Sequence, residues 1–356
     1  MRIGVDARCL SGQITGIGRY VREILLQLDN LMPQAEWFLY SHKPIEMTWP
    51  SKRWQVVIDA HPIWRRLPGS LWVKWRLATL VTQDNLSVFW AAISLSPRLN
   101  LPIVATVYDL NHLLVPETMP LINRVAYRRW FNRDVCAATK VVAISKGTAD
   151  RLSNLLGRIA DDIAAPGSRW ALMSDASTSG RRLVVEPYIL AVATKEPRKN
   201  LASLVAAFAK LKSEGFLQDH RLVLVGASGW GQGLTSVAGT SGWLRELGYV
   251  EDHSMAALYV HADLFVQPSF YEGFGMPAAE AASFGVRVVA TDIPELREAA
   301  GANGVFVEPS VDGIAQGILR ALAMPKPVAL PGATWSQAAG VMKYALERAS
   351  ERQNRS

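Results

Sequence analysis

Only two cysteines, Cys9 and Cys136, occur in 356 residues. They form no CxxC pair and no Cys/His cluster with metal-ligand spacing, so neither a disulfide framework nor a zinc site is visible. That usage fits a reducing cytoplasm. Long apolar runs are missing as well: no uncharged stretch reaches the roughly 18 residues that a membrane span needs. Arg2 and Asp6 punctuate the first strand too early for a cleavable signal. Charged residues make up 19% of the chain against 49% hydrophobic, too few and too mixed for disorder. Also absent is a GxGxxG fingerprint directly after the first strand with an acidic residue about 20 positions on, which disfavours a nicotinamide or flavin cofactor. The expectation is a soluble or peripheral cytoplasmic protein.

The chain is too long for one ordinary core and suits two α/β domains. Its formal charge of +7 is unevenly spread: residues 1–150 hold 18 Lys and Arg against 11 Asp and Glu, and the remainder is balanced at 20 of each sign. A basic face on the first part suits phosphates, nucleic acid or an anionic leaflet; no recognised nucleic-acid module is present, and no nucleic-acid partner is expected. Strand-like runs occur at MRIGVDARCL, WQVVI, LSVFWAAI, LPIVATVYDL and KVVAIS. Helical segments such as RYVREILLQLDNL and PLINRVAYRRWFNRDVCAA intervene. The alternation predicts a parallel sheet covered on both faces. Apolar periodicity fades around GSRWALMSDASTSGRR, read as a linker over 167–182 between domains at 1–166 and 183–335. A second series follows: PYILAVAT, LASLVAAFAKLKSEG, RLVLVGA, a helix ending near GYV, ADLFVQPS, a helix from Pro277 to Phe284, and VRVVAT. A last helix, 336–356, is expected to cross back to the first domain.

The strongest motif is PSFYEGFGMPAAEAASFGVRVVATD. A strand leads into a glycine loop, and Pro277 suits the first turn of the helix that follows. Backbone N–H groups of Gly273, Phe274, Gly275 and Met276 are then positioned for a diphosphate and sugar hydroxyls. Glu272 and Glu280 flank that loop, and carboxylates there can accept hydrogen bonds from vicinal hydroxyls. The alternative leaves Glu280 as an exposed helix residue and the glycines as turns. EPRKN (196–200) places Arg198 and Lys199 between a strand and a helix, with Asn200 as N-cap. At the carboxyl edge of an open sheet these cations suit a leaving diphosphate; the alternative is a solvated turn. In TGIGRY, Gly16 and Gly18 read as a mobile loop before a helix. VYDLNHLLVPE sets Tyr108, Asp109 and His112 after a strand. Asp109 there is a candidate for bonding a donor or acceptor hydroxyl, or for acting as a base, and otherwise caps a turn.

Together these segments resemble retaining glycosyltransferase family 4, which has the GT-B fold of two Rossmann-like parallel-sheet domains facing across a cleft. The resemblance runs through TGIGRYVREIL, ATVYDLNHLLVPE, VAISKGTADRL, EPRKNLASLVAAF, LVLVGASGWG and the stretch 246–301. It implies that Glu280 binds the ribose and that Glu272 with the 273–276 backbone holds the donor sugar. Arg198 and Lys199 then bind the diphosphate, and Gly248, Tyr249 and Val250 meet the base through their backbone. Gly16 and Gly18 belong to the loop between donor and acceptor. Catalytic roles fall to Arg198, Lys199, Glu272 and Asp109. Such enzymes use no metal, no DxD-type carboxylate pair is seen, and no cofactor is expected beyond the nucleotide-sugar substrate.

Three positions depart from the family pattern: Tyr108 stands where His is usual, Ala193 replaces a Gly, and the segment after the first domain is shortened to IAAPGSR. The likeness of EPRKN and GASGWG favours a GDP-sugar donor, mannose or a deoxyhexose such as rhamnose, in lipopolysaccharide O-antigen or exopolysaccharide assembly. HPIWRRLPGSLWVKWRLATLV (61–81) interleaves Trp64, Trp72 and Trp75 with Arg65, Arg66, Lys74 and Arg76. That mixture suits an anionic membrane surface and a polyprenyl-diphosphate-linked saccharide acceptor; the alternative packs the tryptophans into the first domain. Rival readings are a nucleotide-sugar epimerase on the same fold and a non-catalytic scaffold that retains the donor pocket.

Overall fold

The structure, a computed structural model, describes residues 1–12, 14–168, 182–227 and 242–353. The chain divides into two compact units, one comprising Met1–Gly167 with Thr334–Ser356, the other Ser168–Ala333. Most of the segment read as the linker, residues 169–181, lies outside the described residues.

In the first unit the strands are β1 (Arg2–Asp6), β2 (Glu36–Ser41), β3 (Trp54–Ile58), β4 (Val88–Ala91), β5 (Ile103–Val107), β6 (Lys140–Ala143) and β7 (Asp162–Ile163). They pair in parallel in the order β3-β2-β1-β4-β5-β6-β7. Helices α1 (Gly16–Leu31), α2 (Pro62–Arg66), α3 (Gly69–Trp75), α4 (Leu77–Val81), α5 (Asn111–Leu114), α6 (Leu121–Ala137) and α7 (Lys146–Leu156) connect them. Central strands covered on both faces must be apolar throughout, and β4, VFWA, is buried at every position. Helix α1 buries a stripe of Tyr20, Val21, Ile24, Leu25 and Leu28, the spacing its sequence predicted.

The second unit carries β8 (Tyr188–Val192), β9 (Arg221–Val225), β10 (Leu244–Gly248), β11 (Leu264–Gln267), β12 (Val288–Thr291) and β13 (Gly304–Val307). These are also parallel, in the order β10-β9-β8-β11-β12-β13. Its helices are α8 (Leu201–Ser213), α9 (Asp252–Val260), α10 (Met276–Ser283), α11 (Pro294–Ala300) and α12 (Val311–Leu322). Both units therefore have the doubly wound Rossmann order expected for each half of a GT-B fold. The last helix, α13 (Trp335–Gln353), packs on α1 of the first unit and buries Ala338, Ala339, Met342, Ala345, Leu346 and Ala349.

Several local expectations are corrected. The helix expected to end near GYV is instead strand β10, pairing Leu244 with Leu222 of β9. Its charged Arg245 and Glu246 are exposed, which is how an edge strand blunts open pairing and why its pattern did not read as a strand. TGIG is not a loop: α1 begins at Gly16, and Gly18 lies within it. A Cβ on Gly18 would come within 2.3 Å of the Cys9 carbonyl oxygen, so this glycine serves close packing and not mobility. Residues 61–81 form three short helices, broken at Leu67–Pro68 and turned at Arg76, and not one amphipathic face.

Candidate active site

In the second sheet the winding direction reverses between β8 and β11, the two strands on either side of the switch point. Ligands of doubly wound sheets bind outside the carboxyl ends at that place. The two loops that leave those ends are the two strongest motifs: β8 runs out to Arg198 and Lys199, and β11 to Glu272.

The structure brings these three together. Lys199 Nζ donates to both Glu272 oxygens at 2.7 and 2.9 Å. Arg198 Nη1 donates to Glu272 Oε2 at 2.9 Å and to the Tyr271 carbonyl at 2.7 Å. Ser269 Oγ and Gln267 Nε2 complete the cage around Oε1 at 2.7 and 2.9 Å. Burial alone would raise the Glu272 pKa, but Lys199, Arg198 and the hydroxyl of Ser269 outweigh it and hold the carboxyl well below the usual range. Burial and the neighbouring Arg198 lower the Lys199 pKa against the pull of Glu272. Glu196 lies 3.5 Å from Arg198 Nη2, so two cations face two carboxylates. The result is a pair of cations held together by a buried carboxylate.

Asn200 locks the two loops together. It sits at the head of α8 with φ 54°, but its side chain does not cap the helix. Its Nδ2 donates instead to the carbonyls of Pro268 at 3.1 Å and Pro309 at 2.9 Å, tying the loop after β8 to those after β11 and β13. That correction has a physical reason: an αL backbone turns the side chain away from the free helix amides, and asparagine tolerates αL.

Strand β11 ends at Gln267, two residues earlier than its sequence suggested, and α10 starts at Met276, with Pro277 in its first turn. Gly275 before it has φ 102°, and a Cβ there would meet Leu296 Cδ2 at 2.5 Å. Only glycine fits this entry to the helix. Glu280 is buried on α10 and accepts from the Tyr259 hydroxyl at 2.8 Å, so it is not an exposed helix residue. At the end of β10, Gly248 has φ 64° and gives its carbonyl to the Gly226 N–H at 2.8 Å, and the following Tyr249 is 68% exposed. Ala193, in place of the family's glycine, continues the β8–β9 ladder by donating to the Val225 carbonyl.

Residues of the first unit form a separate set. Asp109 follows β5 and accepts from the Asn111 backbone N–H at 3.1 Å and from Asn111 Nδ2 at 2.8 Å, closing a turn. The Tyr108 hydroxyl donates to the Ala92 carbonyl at 2.8 Å, and its ring meets Tyr20 edge-on, so its polar end is spent inside the unit. His112 is buried against Phe131, and its Nε2 has no partner among the described residues.

Three of the seven residues read as membrane-facing point inward. Trp72 is fully buried and donates to Asp59 Oδ2 at 2.9 Å. Arg76 pairs with the same carboxylate at 3.1 Å, and Lys74 is buried against Asp134 and the Ser96 carbonyl. The helical turn of α3 aims these residues at buried acids, which residue type alone did not reveal. Arg65, Arg66 and Trp75 are exposed, and Trp64 is half-buried. Sequence reasoning also missed Gln267, Ser269 and Tyr259, whose only signal was proximity to the acidic motif.

Residues 186–324 match the family described as glycosyl transferases group 1. The O-antigen chain mannosyltransferase B of Escherichia coli is 34% identical over 233 residues, covering 62% of this chain and 61% of that protein. The chain thus spans about three fifths of that curated relative. Among solved structures, the sucrose-phosphate synthase of Thermosynechococcus elongatus superposes with a TM-score of 0.71 at 17% identity, covering 99% of this chain and 97% of that one. WaaG, a glycosyltransferase involved in lipopolysaccharide biosynthesis, gives 0.70 at 17% identity, with 99% and 98% covered.

Proposed function

We propose that this chain, whose residues 186–324 belong to the group 1 glycosyltransferase family, moves a mannosyl or related deoxyhexosyl group from a GDP-sugar to a saccharide acceptor during O-antigen or exopolysaccharide assembly. The observation that carries the reading is the Arg198–Lys199–Glu272 cage at the switch point of the second sheet. It supplies what a nucleotide-sugar donor needs, cations for the diphosphate, held in place by a buried carboxylate. The mannosyltransferase named above supports mannose as the transferred sugar.

In the proposed reaction the bond from the anomeric carbon to the diphosphate oxygen breaks. Arg198 and Lys199, already oriented by Glu272, take up the charge that develops on the leaving group. The acceptor hydroxyl forms the new bond on the same face and gives its proton to the departing phosphate oxygen, so configuration is retained and no enzyme nucleophile is needed. With side-chain cations meeting the diphosphate, the transfer is proposed to need no metal.

A thermal-shift screen against GDP-, UDP- and dTDP-sugars and their free nucleotides tests the donor site, because a ligand that binds only the folded state raises its melting temperature. GDP and its sugars are expected to give the largest shift. Glu280→Gln keeps an acceptor for the Tyr259 hydroxyl but removes the charge offered to the ribose, and is expected to weaken nucleotide affinity about 10–100-fold. Unchanged affinity would refute the ribose role of Glu280. Nucleotide binding with neither transfer nor donor hydrolysis would favour the scaffold reading.

The acceptor is proposed to be polyprenyl-diphosphate-linked and reached at an anionic membrane surface. No helix among the described residues is long and apolar enough to cross a bilayer, so the contact would be peripheral. Its support is a mixed apolar and basic surface on the first unit: Ile63, Arg65, Arg66 and Trp75, with Leu121, Ile122 and Val125 exposed on the first turns of α6 and Arg128 and Arg129 on the next. Trp75 meets Trp130 of α6 edge-on at 5.7 Å, so α3 and α6 adjoin. Leu121→Glu with Ile122→Glu is expected to cut co-sedimentation with phosphatidylglycerol vesicles at least fivefold, since both apolar burial and charge attraction are lost. Undiminished sedimentation would remove this surface from the proposal.

A further inference from the structure

The last turns of α9 are closed in: Met255, Ala256, Ala257, Leu258 and Tyr259 are all buried. The Tyr188 hydroxyl of β8 donates to the Leu258 carbonyl at 2.7 Å and ties that turn to the sheet. Tyr259, the next residue, is fully buried. Its ring stacks on Phe284, just past α10, at 5.7 Å, and lies tilted against Phe265 of β11 at 5.8 Å. Packing therefore sets the direction of the phenol before its hydroxyl makes any bond. The hydroxyl ends at Glu280 and donates to Oε2 at 2.8 Å.

Packing alone does not call for that hydroxyl. Phenylalanine fills nearly the same volume between the same rings and brings no polar atom that burial obliges to find a partner. Glu280 poses the matching problem, because a buried carboxylate is costly unless donors hold it. What the two residues produce together is a carboxylate with one set orientation. Glu280 lies about one turn into α10, and helical side chains lean toward the helix N-terminus. In a doubly wound sheet that end of α10 stands at the carboxyl edge, where the nucleotide is proposed to bind. A carboxylate offers about four acceptor positions, of which Tyr259 takes one on Oε2. A vicinal diol needs acceptors in one fixed plane, and a side chain already held there loses less freedom when the diol binds.

Resting on the ribose role of Glu280 proposed above, we infer that Tyr259 is the positioning residue for that carboxylate and thereby sets how strongly the protein discriminates ribose from deoxyribose. Its hydroxyl fixes the plane in which Glu280 meets the 2′- and 3′-hydroxyls. Being fully buried, Tyr259 acts through Glu280 and touches no part of the nucleotide itself.

The test is the ratio of affinities for GDP and 2′,3′-dideoxy-GDP, measured by calorimetric titration of the full-length protein; the UDP pair is used should UDP give the larger thermal shift. The wild-type protein is expected to bind GDP about 10–100-fold more tightly than the dideoxy form. Tyr259→Phe keeps the ring and removes one oxygen. It is expected to lower the ratio about 3–10-fold by weakening GDP, with dideoxy-GDP affinity held within about twofold. Donor KM should rise by the same factor while kcat holds, because Arg198 and Lys199 are untouched. In a Glu280→Gln background the same substitution should leave the ratio where it was. Phe284→Leu removes the face that holds the phenol; it should lower the ratio about threefold, and it decides the matter if Tyr259→Phe fails to fold. A tyrosine that serves packing alone would change the melting temperature and leave the ratio at its wild-type value. That result overturns the inference, as does an equal fall in the Glu280→Gln background. A wild-type protein that binds both nucleotides alike would overturn the ribose role of Glu280, and one that binds neither would overturn the transferase reading; the inference falls with either.

Discussion

Glu272→Gln is expected to destabilise the protein by about 3–5 kcal/mol, because it leaves Arg198 and Lys199 partly buried with their main counter-charge gone. For a chain of this size that is on the order of 10 °C in melting temperature. The Glu272 carboxylate is saturated with donors, namely Lys199, Arg198, Ser269 and Gln267. Neutralising one member leaves the others mismatched. The double variant Glu272→Gln with Lys199→Met should therefore recover part of the loss, since residues in one network couple strongly. Denaturant unfolding of the single and double variants measures the coupling, and simple additivity would mean that the cage is not an energetic unit. Lys199→Ala addresses the chemistry: with the leaving-group cation removed and Glu272 still paired to Arg198, turnover should fall about 10²–10³-fold. A fall of less than threefold would defeat the leaving-group role.

Acid should destabilise the first unit well above the range in which carboxylates titrate. Burial lowers the pKa of both His42 and His112 to about 4. At His42 the nearby charges of Arg8 and Lys43 act in the same direction and Asp6 and Asp59 act against it; at His112 a hydrogen bond with Asn132 is the opposing influence. The unfolded chain takes up these protons near pH 6.5, the folded protein only near 4. Stability from the neutral histidines is therefore complete above about pH 6.5 and is lost as pH falls toward 4, on the order of 3 kcal/mol for each. Glu272 adds a later phase: its depressed pKa stabilises the fold above the ordinary carboxylate range and is lost below it. Calorimetry from pH 8 to 4 should show melting temperature falling through the histidine window, and His42→Phe with His112→Phe should flatten that fall. A flat wild-type profile between pH 6.5 and 4.5 would exclude this coupling.

The cluster of Arg198, Lys199 and Glu272 was legible because its residues lie in short, contiguous motifs. EPRKN and PSFYEGFGMP each leave a strand whose apolar run is unmistakable, and the doubly wound order places both strand ends at one switch point. The place of Glu280 on α10 was legible for the same reason, being fixed in register by the helix that Gly275 and Pro277 start. Trp72, Lys74 and Arg76 were misread because tryptophan, lysine and arginine are equally at home on a lipid surface and against a buried acid. Asp59 and Asp134, which claim Trp72, Arg76 and Lys74, come from separate elements of the unit. Gly18 misled similarly: a glycine needed for close packing against Cys9 has the same spelling as one needed for motion.

By itself, then, the sequence determined the parallel two-series α/β architecture and singled out Arg198, Lys199 and Glu272 as residues to be sought at one sheet edge, since both follow from local periodicity and from chemistry carried on single loops. Only the tertiary structure decided which charges are spent on the protein. Whether Lys74 meets solvent or Asp134 and whether Tyr108 keeps a free hydroxyl or gives it to Ala92 depend on partners distant along the chain. Hydrogen bonds and ion pairs are settled by proximity in space, and the residue types at either end do not encode who their neighbour is.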